Sequence, residues 1–515
     1  MDHDEVKPER ETDTSAKGEP SSEAENTETT NGSNFLVFNS RRGRLLMATT
    51  ILASGMGFLD GTVVNVALPR IQEDLGGGLA TMQWVLDSYL LTLGALVLVG
   101  GALGDLLGRK RVFAWGITGF AISSALCGIA PTAETLVIAR ALQGVAAAAM
   151  IPGSLALLSS LFAAADRGKA IGLWSGLSGI VTAIGPFVGG TLVDASPSGW
   201  RWVFLINLPL AVVALVLCRP IPDLPGNRKP GKLSSQVDLL GAGMTVAGLA
   251  LVVGPLIEIE RLGGVLATAL TTIGIALLVG FWFVERSREV SQKPAPMMPP
   301  SLWRFRSFTV ANLVTFIVYG ALGALLLLFT IGLQIGLGWS ALAAGASGLP
   351  ITIILALLSS RIGGLIPRLG SRLLLTFGSL LMAIGMFMLS FLPEGATYIV
   401  NVLPGILVFA LGLAFVVAPI TTTALGDIPV DSSGVGSGVN NALSRISGLV
   451  AVAVVPLLAG LSHSTELSGA AVLPGYQRAV IICAALCLVG AALSWFGFTR
   501  ETGRVAADNQ GADSN

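Results

Sequence analysis

The sequence predicts an all-α integral membrane protein with fourteen transmembrane helices, arranged as two six-helix bundles with two spans inserted between them. Composition is the first reason. Of 515 residues, 53% are hydrophobic and only 12% are charged, about half the charge of an ordinary globular domain. The second is a series of fourteen apolar windows, each close to the roughly twenty residues that cross a hydrocarbon layer as helix. The third is a turn-like segment that follows the second window and occurs again after the tenth, so the chain reads as two related halves.

The windows lie near residues 45–68, 81–103, 112–130, 135–158, 170–193, 202–218, 239–258, 265–284, 308–335, 341–366, 373–392, 399–423, 435–460 and 478–498. The repeated segment reads GALGDLLGRKRVF from Gly101 to Phe113 and GGLIPRLGSRLLL from Gly363 to Leu375. Gly108 then matches Gly370 and Lys110 matches Arg372, while Pro367 stands where the first copy has Asp105. The expected domains are an acidic tail at 1–40, a first bundle at 41–220, two inserted spans with their loops at 221–306, a second bundle at 307–500 and a short tail at 501–515. Both tails are poor in apolar residues and should be disordered.

The formal net charge is zero, but the first forty residues hold ten acids and three bases, leaving 28 bases against 21 acids in the remainder. Those bases gather on alternate loops: Arg41, Arg42 and Arg44; Arg109, Lys110 and Arg111; Arg167 and Lys169; Arg219, Arg228, Lys229 and Lys232; Arg286, Arg288, Lys293, Arg304 and Arg306; Arg368 and Arg372; Arg500 and Arg504. Excess Lys and Arg marks cytoplasmic loops, so both termini are expected in the cytoplasm and the protein in the cell membrane. The four cysteines sit in apolar runs and the two histidines, His3 and His463, lie far apart. No metal site, cofactor or nucleic-acid contact is expected. No G-x-x-x-x-G-K-[ST] phosphate loop occurs, which argues against an ATP-driven pump within this chain.

Ionisable residues inside spans are the chemical signal. Asp60 lies in LDGTVVNVALP, near the middle of the first span. A charge at that depth costs about 2.5–3.5 kcal/mol on insertion scales, so it implies a proton, a cation or a partner that fixes helix register. Asp87, in WVLDSYLLTLG of the second span, is a second such acid. It can hold a proton, attract a cation or bond a neighbouring Ser or Tyr. Arg140 lies in the fourth span and cannot deprotonate, so it needs a carboxylate or water, or it reaches back to the membrane surface. Asp238 reads as a helix cap, Glu258 and Glu260 as a solvated edge, and Arg445 as entering the thirteenth span near the cytoplasm.

Four segments resemble the major facilitator superfamily, in particular its fourteen-span drug:proton antiporters (the QacA/EmrB-like group), and the span count agrees end to end. LDGTVVNVALP resembles the first-span pattern of that group. The segment with Gly101, Gly104, Asp105, Gly108, Arg109 and Lys110 is similar to the superfamily's loop motif between the second and third spans. Its glycines allow close packing and a tight turn, and Asp105 is suited to accept hydrogen bonds from a neighbouring helix end. It reads as a conformational latch, or more plainly as a basic topogenic loop. LVIARALQGVAAAAM places Arg140 where the resemblance implies a part in proton transfer. GLSGIVTAIGPFVGG, with Gly185, Pro186, Gly189 and Gly190, looks like the antiporter motif. In physical terms Gly185-Pro186 permits a bend, and Gly185 with Gly189 makes a face for close helix approach. Trp200 to Pro209 resembles the start of the sixth span.

The resemblance implies a proton-coupled antiporter that exports small amphipathic or cationic compounds by alternating access, working as a monomer and not as an enzyme. Asp60 and Arg140 would serve proton coupling and Asp87 the substrate. The rival readings are a proton-coupled importer of a nutrient and a non-transporting membrane protein.

Overall fold

The computed structural model describes residues 35–223, 226, 236–291, 294–429, 432–461 and 469–499. His3, His463, Arg228, Lys229, Lys232, Lys293, Arg500, Arg504 and most of both tails lie outside the described residues.

All fourteen windows become helices of membrane-crossing length. They are α1 (Arg41–Leu75), α2 (Gly78–Leu107), α3 (Arg109–Gly128), α4 (Ala133–Leu161), α5 (Ala164–Asp194), α6 (Trp200–Cys218), α7 (Leu239–Ile257), α8 (Gly264–Ser291), α9 (Arg306–Gly336), α10 (Ala341–Gly363), α11 (Ile366–Ser390), α12 (Tyr398–Leu425), α13 (Ser433–Leu458) and α14 (Leu473–Gly497). Apolar side chains surround their own satisfied backbone bonds, the form that lipid permits. Ser40 opens α1 by accepting from the Gly43 amide, and Asp238 caps α7 through the Gly241 amide. The last five residues of the expected tail are not loose. Leu36 bridges Phe162, and the Phe38 amide donates to Asp166 (3.0 Å), so this stretch is tied to the α4–α5 turn.

Helices α1–α6 pack together, as do α9–α14, and α7 and α8 pair with each other between them. Gly108 (φ 105°) turns the chain between α2 and α3, and Gly370 (φ 74°) breaks the helical path at the matching place in the second half. Both torsions lie where only glycine is comfortable. Thus the two matched glycines make the same kind of turn although the acid beside the first is a proline beside the second.

Three contacts join the bundles. Along one seam α2 crosses α13, with Gln83 Nε2 donating to the Val452 carbonyl (2.7 Å). Helix α7 lies over that seam and packs on both α2 and α13 through Leu249, Val253 and Ile257. Trp84 of α2 donates to Glu258 at the end of α7 (2.9 Å), so Glu258 is anchored rather than a merely solvated edge. At the end away from the basic loops, Asp194 accepts from the amides of Ala341 (3.2 Å) and Leu342 (2.8 Å), and Gln334 donates to the Val66 carbonyl (3.0 Å). At the basic end α5 and α10 stand apart. Residues 172, 173, 175, 176, 177, 179 and 180 ring α5 and are all exposed, and the stretch Leu349–Gly363 buries only Ile362. The bundles are thus joined at the end away from the basic loops, while α5 and α10 expose their facing stretches toward the basic end.

Close packing of α2 on α4 depends on Gly100, not on Gly101 as the sequence motif suggests. A Cβ at Gly100 would lie 2.0 Å from the Ala148 carbonyl oxygen, whereas Gly101 faces no atom within 4 Å. Gly100→Ala should therefore destabilise the folded protein by about 1–3 kcal/mol, the usual cost of overpacking. Gly101→Ala should be neutral or slightly stabilising, because helical alanine is favoured over glycine. Thermal unfolding of the two detergent-purified variants checks the contrast.

Candidate functional site

Asp60 and Arg140, eighty residues apart, meet inside the first bundle. Both are sealed, at 0% and 1% side-chain exposure, and Arg140 Nη1 donates to Asp60 Oδ2 at 2.5 Å. The rest of the carboxylate is satisfied by neutral donors: Gln143 Nε2 reaches Oδ1 at 2.9 Å and Asn207 Nδ2 at 3.5 Å. Ser124 accepts from both Gln143 (3.2 Å) and Asn207 (3.1 Å) and donates to the Phe204 carbonyl (2.9 Å). Arg140 uses Nε on the Val85 carbonyl (3.0 Å) and Nη1 on Gln143 Oε1 (2.8 Å), and its guanidinium lies 4.4 Å from the centre of the Tyr89 ring. Residues of α1, α2, α3, α4 and α6 thus converge on one pair of opposite charges.

Local sequence explains the convergence. Arg140 and Gln143 are three apart, so they share one face of α4. Asn207 follows a one-residue interruption of α6 at Ile206, which aims it at the network. The reading of Arg140 as an interfacial snorkel is corrected: it turns inward because Asp60 offers an ionic partner that the membrane surface cannot better. Gln143, Ser124 and Asn207 were not singled out from sequence. Neutral amides and hydroxyls cost little in an apolar run, so their type alone does not mark them. The usable signal was the spacing of Gln143 from Arg140.

Asp87 lies apart from this network. It shares a face of α2 with Gln83, Leu90 and Gly94, the residues that touch α13. Its side chain is fully buried in that seam, and neither carboxyl oxygen has a hydrogen-bond partner. The alternative of a bond to a neighbouring Ser or Tyr is not made, and the adjacent Ser88 hydroxyl is unpartnered too.

In the loop motif every polar contact stays within the first bundle. Asp105 Oδ1 accepts from Arg109 Nε (2.9 Å), one turn on and largely exposed, rather than from a neighbouring helix end. Arg109 also donates to the Ala156 carbonyl (3.1 Å), and Lys110 to the carbonyls of Arg219 (2.9 Å) and Ile221 (2.5 Å). Among the described residues Asp105 accepts from no second-bundle group. Gly104 merely touches Arg109.

The glycine-rich part of α5 makes contacts of backbone closeness in two directions. A Cβ at Gly185 would lie 2.2 Å from the Thr62 hydroxyl and one at Gly189 2.6 Å from Val63, so these two face α1. A Cβ at Gly190 would collide with Leu342 of α10, and one at Gly345 of α10 would collide with the Pro186 carbonyl. Asp194, which was not singled out from sequence, completes this clasp by capping the first turn of α10. A carboxylate there also complements the positive end of the helix dipole.

Fourteen membrane-crossing helices in two bundles, one of them built around a sealed charge pair, define a polytopic membrane transporter of small molecules. The chain belongs to the major facilitator superfamily, whose family description matches residues 50–452. It is 35% identical over 476 residues to the puromycin resistance protein pur8 of Streptomyces alboniger, covering 88% of this chain and 91% of that protein. It is 32% identical to the methylenomycin A resistance protein of Streptomyces coelicolor, covering 81% and 86%. Among solved structures it resembles the D-xylose-proton symporter, with a TM-score of 0.60 at 15% identity over 89% of this chain and 99% of that one, a likeness of fold alone.

Removing one charge of the buried pair strands the other. Arg140→Met should cost about 3–5 kcal/mol, whereas Asp60→Leu combined with Arg140→Met should recover much of that loss. Unfolding midpoints of the single and double variants in detergent form the double-mutant cycle that checks it.

Proposed function

We propose that this transporter exports small amphipathic compounds in exchange for protons, by alternating access across the cell membrane. The observation that carries the reading is the sealed Asp60–Arg140 pair. Arg140 keeps its charge at every physiological pH, so the only change open to the pair is a proton on Asp60. Protonation would cancel the ionic bond while leaving Arg140 held by Val85 and Gln143. That converts a proton into a mechanical change at a point where α1, α2 and α4 meet. The names of the relatives, which concern resistance to puromycin and methylenomycin, support outward export.

On this reading the basic end faces the cytoplasm, both termini lie there, and a single chain suffices. Cargo then enters between the bundles from inside, while the Asp194 clasp holds the outer side shut. Asp105 and Arg109 would change partners when the cytoplasmic ends of the bundles meet, and so latch that side in the opposite state. Asp87 would be offered to a proton or a cation when the α2–α13 seam parts. A proton entering down 100 mV supplies about 2.3 kcal/mol, and each pH unit adds about 1.4 kcal/mol.

Two measurements follow. In everted vesicles, Asp60→Asn should lose pH-gradient-driven uptake of a fluorescent cargo by at least about tenfold, a change of roughly 1.4 kcal/mol or more, although the protein inserts and folds. Full retention of gradient-driven uptake by a well-folded variant rejects the coupling role. Asp105→Asn and Asp194→Ala should shift the resting population in opposite directions. A cysteine placed at Gly176 should react faster with a polar thiol reagent in the first variant, and one placed at Ser196 faster in the second. The native cysteines are all buried and give a quiet background.

A further inference from the structure

Arg445 is the charge that the coupling network does not use. It is the thirteenth of the 26 residues of α13, so it sits at mid-span and not near the cytoplasmic surface as the sequence suggests. Its Cβ packs toward Gly94 of α2, while its guanidinium crosses to the first bundle and lies 5.9 Å from the centre of the Phe58 ring of α1. Among the described residues it makes no hydrogen bond and no ion pair.

The nearby acids cannot serve it. Both oxygens of Asp60 are engaged by Arg140, Gln143 and Asn207. Asp87 lies seven residues before Gly94 on α2, about 10 Å away along the helix, and is sealed in the seam. A contact with an aromatic face returns about 0.5–2 kcal/mol, less than the cost of an arginine at mid-membrane depth. Arg445 therefore stands as an uncompensated cation between the bundles.

Its surroundings are half-exposed and mostly flat. Phe58 packs on Trp174 of α5, with ring centres 6.5 Å apart, and Trp174 Nε1 is fixed by the Ser54 hydroxyl (3.1 Å). Asn441, one turn before Arg445 on α13, is exposed. We propose that Arg445, with Phe58, Trp174 and Asn441, forms a specificity subsite between the bundles, and that it selects a planar aromatic cargo carrying a carboxylate or phenolate. The ring stacks on Phe58, and the anion takes the guanidinium fork, whose geometry matches two oxygens. At this subsite the cationic cargo expected from sequence would be repelled. The proposal rests on the export reading above and names the chemical class it favours.

Three isosteric fluorescent probes test it: anthracene-2-carboxylate, 2-(hydroxymethyl)anthracene and 2-(aminomethyl)anthracene, the last protonated at neutral pH. Binding is measured to the full chain in lipid nanodiscs. Wild type should bind the carboxylate about tenfold or more tighter than the alcohol, and the ammonium weakest. Arg445→Gln should erase the preference for the carboxylate while leaving the affinity for the alcohol unchanged, and Arg445→Lys should retain most of it. Equal weakening of all three probes overturns the proposal in favour of a packing role. The wild-type ranking needs no variant, so a carboxylate bound no better than the ammonium overturns it even where Arg445→Gln fails to fold. Proton-driven uptake of the neutral alcohol into everted vesicles is scored separately. Its absence counts against the export reading, whereas its presence without any carboxylate preference counts against the subsite alone.

Discussion

The first bundle is organised around an attraction that the membrane makes costly to break. Asp60 and Arg140 neutralise each other in a place without water, and each is further held by backbone or amide groups. A desolvated pair contributes little net stability when intact, but either partner alone is severely destabilising. The consequence is positional. Five helices must keep their rotation and depth within hydrogen-bond tolerance, or one of the two charges is stranded. Glycines make that tolerance reachable: Gly144 brings α4 against Tyr89 and Thr92 of α2, and Gly185 and Gly189 bring α5 against α1.

The second bundle has no equivalent charge pair among the described residues. Its buried side-chain contacts include neutral ones, such as Asn440 with Asn312 (3.0 Å) and Thr315 (3.0 Å), while Arg306 meets carbonyls of α14. Charge is instead concentrated in the first half, in the seam at Asp87 and at Arg445, which reaches across from the second half. This asymmetry agrees with the repeat, where the turn glycine is matched but the acid beside it is not. Halves that share a backbone plan divide the work: one responds to a charge, the other supplies a surface to rock against.

Much of this was legible in the sequence, for reasons that can be named. Span count follows from apolar length, which lipid imposes directly. Asp60 and Arg140 were each conspicuous because a charge in an apolar run is expensive, but nothing local says that residues eighty apart meet. Gly100 and Gly101 differ only in helix rotation, which one degenerate glycine pair cannot reveal. Arg445 was placed near the cytoplasm although the window at 435–460 already set it ten residues inside, because the polar run of Gly, Ser and Asn before it hides how deep the span lies. Asp194 was invisible because its role depends on the start of α10, far away in sequence. What escapes sequence reading is consistently the relation between elements rather than the elements.

The strip formed by α7 has one more consequence. By lying over the crossing of α2 and α13, it closes that flank of the molecule to acyl chains. The opposite flank, between α5 and α10, carries no such cover, and there the two helices part toward the basic end. A compound dissolved in the bilayer therefore meets a gasket on one side and an unguarded doorway on the other. Under the export reading, an amphipathic cargo dissolved in lipid would meet the α5–α10 side rather than the covered one, so the placement of the two extra helices would decide the direction of its approach.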